Sequence, residues 1–174
     1  MRRTDASAVR RLRKEKGADD RDPQASRVYA WEREWKDWNV ESLTLPQCRT
    51  VVRIACKHFG LKPPRVRQHR SSYWSWCDPT IEVIDFQAVK RRGRAGQKNK
   101  AVALHEAAHF IYFKFHGWRG QDHGPTFLAI YLWLLEKARV APPVALRATA
   151  RSHGLRWCPL AKVVPRGVGS RPST

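Results

Sequence analysis

The feature that most constrains this chain is a polar pentad set in an apolar run. His105-Glu106-Ala107-Ala108-His109 follows Ala101, Val102, Ala103 and Leu104 and precedes Phe110 and Ile111. Such apolar continuity predicts a buried helix from about 101 to 116. On a helix, residues i and i+4 stand about 400° apart in rotation, so the two imidazoles project side by side with Glu106 one step round. A polar trio in a buried helix is costly to desolvate unless it has partners. A metal ion held by both imidazoles supplies one; two hydrogen-bonded core histidines are the plain alternative. With seven His and seven Glu in 174 residues, the three fixed positions arise by chance about 0.01 times in such a chain.

Zinc suits this pattern. It acidifies a water to a pKa of about 7 and polarises a carbonyl, while Glu106 is placed to take the water's proton as general base. A catalytic zinc takes three protein ligands and keeps one position open. His116 shares the stripe but would lie roughly 10 Å along the helix from His109, too far for one ion. The pattern HExxHxxGxxH fails as well, because Tyr112 and Phe115 occupy its Gly and third-His positions. His123 is the better third ligand: the chain can reverse after His116, and Gly124 and Pro125 then open another helix. Asp122 and Glu136 are weaker options. Tyr131 and His116 are candidates to stabilise an oxyanion, and spacing favours neither.

The remaining segments predict one α+β domain with helices packed on a small antiparallel sheet. Trp31, Trp35 and Trp38 mark one face of a helix over 29–38. Thr44, Pro46 and Gly60 punctuate another over 43–60, whose apolar face is Cys48, Val51, Val52, Ala55 and Phe59. Arg65 to Arg70, Ser72 to Trp76 and Thr80 to Ile84 read as short strands, split by Ser71 and by Asp78-Pro79. Helices are expected over 125–138 and 144–152. The longest near-continuous apolar run, Phe127 to Leu135, has nine residues, and a helical membrane span needs about twenty. The opening residues lack a secretory pattern, so a cytoplasmic protein, free or nucleoid-associated, is expected. The four cysteines form no CxxC pair and read as reduced thiols; His153 with Cys158 is not a recognised ligand spacing.

Charge points to a polyanionic partner. Thirty-four Lys and Arg oppose 15 Asp and Glu, a net +19; no acid lies between Glu41 and Asp78 and none follows Glu136. Nucleic acid is the expected contact. Arg65, Arg67 and Arg70 flank Trp74 and Trp76, a combination suited to phosphates and stacked bases of single-stranded DNA. Arg91, Arg92 and Arg94 sit in a basic loop. Core packing of the tryptophans is an equal alternative.

The pentad, together with His123-Gly124-Pro125-Thr126-Phe127, resembles the SprT-like, Spartan-type zinc metallopeptidases, which carry HExxH on one helix and HGxxF at the start of the next. The specific likeness spans 105–127 and extends loosely from 43 to 138. It implies a minimal zincin-like fold, one catalytic Zn2+ held by His105, His109 and His123, Glu106 as base, and a protein substrate on or near DNA. The implied organisation is a basic flexible arm over 1–28, the SprT-like domain over 29–138 and a basic extension over 139–174, assumed monomeric and without membrane contact. Unlike Spartan-type members with a cysteine-rich zinc ribbon, this chain has only Cys158 beyond the domain. Two other readings compete: a non-catalytic nucleic-acid-binding protein with a structural zinc, and a zincin that cuts one regulator without DNA.

Overall fold

The computed structural model describes residues 22–34, 42–69, 75–87, 98–117 and 122–163. Among them, in chain order, are α1 (Ala25–Glu34), α2 (Leu45–His58), β1 (Arg65–His69), β2 (Trp76–Asp78), β3 (Val83–Gln87), α3 (Lys100–His116), α4 (Pro125–Lys137), α5 (Pro143–Ser152) and a 3-10 turn at Leu160–Lys162. No helix among them is long and apolar enough to cross a membrane.

Helices α2 and α3 begin and end on local chemistry. At α2 the Thr44 and Gln47 side chains form a reciprocal capping box and Pro occupies the first turn. Gly60 follows in the left-handed region at φ 67°. Helix α3 starts where the Asn99 side chain accepts the Val102 N–H at 2.9 Å. It stops at Gly117, whose φ of 64° favours glycine. Pro125 and Pro143 open α4 and α5.

The sheet is mixed, which corrects the antiparallel expectation. Its order is β1-β3-β2, with β1 parallel to β3 and β2 antiparallel to it. Asp78 closes the β2–β3 hairpin by accepting from the Thr80 and Ile81 N–H groups. This places Val83–Gln87 in the centre, with Val83, Ile84, Asp85 and Phe86 all buried. β1 pairs on the other edge of β3, in parallel. β1 begins at Arg65 as expected, but β2 and β3 begin later, because Trp76 to Asp78 form the second strand and Thr80 to Glu82 the turn after it.

Helices α3 and α4 pack together at the centre, with α2 and β2 against α3 and α5 against α4. Nine residues of α3 and α4 with apolar side chains, including Phe110, Ile111, Phe127, Ile130 and Leu135, are fully hidden from solvent. The expected boundary between arm and domain at 28/29 falls inside α1, where Val28 and Trp31 are buried. Trp35 and Trp38 of the predicted stripe lie outside the described residues.

Candidate metal centre

His105 and His109 sit one turn apart on α3, and His123 immediately precedes the Gly124 N-cap of α4. The packing of α4 against α3 brings all three to one point. His109 Nε2 lies 3.0 Å and His123 Nε2 3.3 Å from His105 Nε2, and the three potential donor atoms lie within 4.8 Å of one another. His105 and His123 are buried and His109 is half-buried.

The donor chemistry decides what such a cluster can hold. The Nδ1–H of His105 donates to Glu32 Oε1 at 2.6 Å, and that of His123 donates to Asp22 Oδ2 at 2.6 Å. A carboxylate only accepts, so each ring carries its proton on Nδ1 and turns an Nε2 lone pair inward. Converging lone pairs repel unless a cation separates them. Four-coordinate zinc, with bonds near 2.0–2.1 Å, spaces its ligand nitrogens about 3.3 Å apart, close to the two separations measured from His105 Nε2. Charge agrees too. Asp22, Glu32 and Glu106 crowd three carboxylates round the rings, and buried Asp22 Oδ1 has no hydrogen-bond partner. The residues therefore fit a divalent metal.

Electrostatics couple the rings to these carboxylates. Burial opposes charge on His105, but the Glu32 carboxylate, helped by Glu106 and Asp22, more than offsets it and raises the imidazole's affinity for a proton. Burial likewise opposes ionisation of Glu32, yet His105 and the hydrogen bond from Tyr131 keep it below its ordinary value. Phe127 stacks on His109 at 4.4 Å between ring centroids and meets the other two rings edge-on.

The histidines open onto a cleft of about 260 Å³. Glu106, 6% exposed, lines it with Tyr29, Trp76, Cys77, Tyr112 and Asp122. The cleft therefore sits between α3 and the edge strand β2.

The other expected site residues divide. Arg65 is exposed on β1. Arg67 is engaged internally, holding buried Asp85 through two hydrogen bonds of 2.7 and 2.8 Å; the parallel register places the two directly opposite. Trp76 is half-buried on the cleft wall. Arg70, Trp74, Arg91, Arg92 and Arg94 lie outside the described residues. Among the alternative ligands, Glu136 pairs with Arg147 at 2.6 Å, away from the rings, and Asp122 is on the cleft. His116 meets the Val163 carbonyl at 3.1 Å, and His153 pairs with Glu34. Tyr131 is fully buried and spends its hydroxyl on Glu32 at 2.7 Å.

Sequence reasoning missed Asp22, Gln24, Tyr29 and Glu32. All four come from the segment expected to be arm or first helix, and no local spacing ties them to the pentad. Gln24 Nε2 donates to the His123 carbonyl at 3.2 Å, and Gln24 Oε1 accepts from the Arg156 N–H at 2.7 Å. Tyr29 packs on His105 and His123 with centroids 5.9 and 5.1 Å away. No family model, curated protein or solved structure matches this chain.

Proposed function

We propose that this protein is a zinc-dependent endopeptidase of the SprT-like type, with a minimal zincin-like fold, acting on proteins on or near DNA. The observation that carries the reading is the convergence of three imidazole Nε2 atoms beside a buried glutamate on the wall of an open cleft. His105, His109 and His123 would hold the ion. Zinc bound there supplies Lewis acidity, polarising a peptide carbonyl and lowering the pKa of an attacking water to about 7.

The chain's own groups do the rest. Glu106 takes the water's proton and returns it to the departing amine as the C–N bond breaks. Tyr29 shares the cleft wall with a second phenol, Tyr112, and packs against the rings of His105 and His123. Tyr29 is 45% exposed, yet partial burial, followed by the charge of Glu106, pushes its pKa above the ordinary value, so it keeps a proton to donate to the developing oxyanion. Edge strand β2 offers main-chain groups to an extended substrate, which gives weak sequence preference. Proximity to DNA is supported by the net charge of +19 and the long acid-free segments.

The test is Glu106→Gln. Removal of a general base lowers turnover roughly 10²–10⁴-fold. The variant is expected to retain one zinc per chain, measured by metal analysis, and to lose casein cleavage. Equal cleavage by variant and wild type discards the peptidase, and a wild type that binds zinc without any cleavage supports a structural site. Cleavage unaffected by single-stranded DNA favours a zincin that acts on a free regulator.

A further inference from the structure

We propose that Asp22 and Glu32 are positioning residues that set the metal affinity of the centre by fixing the tautomers and ring planes of His123 and His105. The inference rests on the metal-binding reading above and extends it to a segment that the pentad does not include.

Three observations carry it. First, each carboxylate approaches its ring's Nδ1 at 2.6 Å, the short distance of a charge-assisted bond. A neutral imidazole has one N–H, and a carboxylate that captures it at Nδ1 leaves Nε2 as the lone-pair donor. Second, the carboxylates are themselves fixed. Glu32 Oε1 also accepts the Tyr131 hydroxyl at 2.7 Å, and Asp22 Oδ2 also accepts the His123 backbone N–H at 3.1 Å. Their side chains are 23% and 12% exposed. Third, Tyr29, between them in sequence, packs against both rings. The stretch 22–32 thus seats both rings from outside. Without the carboxylates each ring can place its proton on Nε2, which removes that nitrogen as a ligand.

The experiment measures zinc affinity by competition with a chromogenic chelator, using the full chain and its Glu32→Gln and Asp22→Asn variants. These amides keep the size of the side chain but lose its charge, and they can donate to Nδ1 and select the wrong tautomer. Each is expected to bind zinc roughly 10–100-fold more weakly and to shift the visible bands of the Co2+-loaded protein, while far-UV circular dichroism stays unchanged. Glu34→Gln, on the same helix but paired with His153, is expected to bind as wild type does. Variants as tight as wild type with identical Co2+ spectra overturn the inference alone. A wild type that binds no zinc overturns the metal reading as well. Should either variant fail to fold, 15N NMR of the zinc-loaded wild type decides: protons on Nδ1 of His105 and His123 support the inference, and a proton on Nε2, or zinc bound through Nδ1, overturns it.

Discussion

Helix α3 delivers His105, Glu106 and His109 to the cleft within little more than one turn, whereas the stretch 22–32 delivers Asp22 and Glu32 across separations of 101 and 73 residues. The inner half is built into the most buried helix pair of the fold, α3 against α4. The outer half depends on α1, which buries only Val28 and Trp31. Helices with few buried contacts open locally at lower free energy than the core does. The difference teaches that the ligands and the groups orienting them need not share a stability: α1 can loosen and degrade the centre while the histidines of α3 stay in place.

The largest expected effect is at Trp31. Its ring is fully buried, meets Tyr131 edge-on at 6.1 Å, and its indole N–H donates to Thr149 Oγ1 at 2.9 Å. Trp31→Ala is expected to destabilise α1 by about 3–5 kcal/mol. Hydrogen exchange is expected to quicken across 25–34 and zinc affinity to fall, with α3 amides protected as before. Equal loss of protection in α1 and α3 would show the halves to be one cooperative unit.

Next in size is Tyr29→Phe, which keeps the ring against the two histidines and removes the hydroxyl. Loss of one oxyanion donor lowers kcat by about 10²-fold, with zinc affinity and KM unchanged. If zinc affinity falls instead, the phenol belongs to the support of the rings and not to the cleft.

The same division governs what could be read in advance. Thr44, Pro46 and Gly60 act through neighbours a few residues away, and α2 appears where they predict it. The pentad is equally local, and His123 was within reach because a short reversal has few places to go. Pairing order in the sheet is not local: strand patterns do not reveal that β3 sits between β1 and β2, and so Arg67 read as a free phosphate contact when its register partner Asp85 holds it. Asn99 was hidden in a basic loop because its role depends on where α3 starts. Asp22 and Glu32 were illegible for the strongest reason, since a carboxylate 73 or 101 residues from its histidine leaves no periodicity behind.

The smallest effect uses the cysteines to report on the two halves. Cys48 and Cys56 lie in the buried face of α2, while half-buried Cys158 stands two residues after Arg156, whose backbone Gln24 grips. Burial, the main cause in both, pushes the Cys48 thiol up to about 11 and the Cys56 thiol up to about 12. The fold favours their protonated forms, so that contribution is complete below the ordinary thiol value of 9.0 and is lost as pH rises through 11 to 12. At pH 9.5 the loss is below about 1 kcal/mol per thiol. Thiolate is the species that alkylates. Iodoacetamide at pH 8.5, followed by peptide mass spectrometry, is expected to modify Cys158 and spare Cys48 and Cys56. In Trp31→Ala the Cys158 rate is expected to rise while the α2 thiols stay protected; labelling of Cys48 in step with Cys158 would mean that loosening α1 opens the core, and the separation between the two halves would be gone.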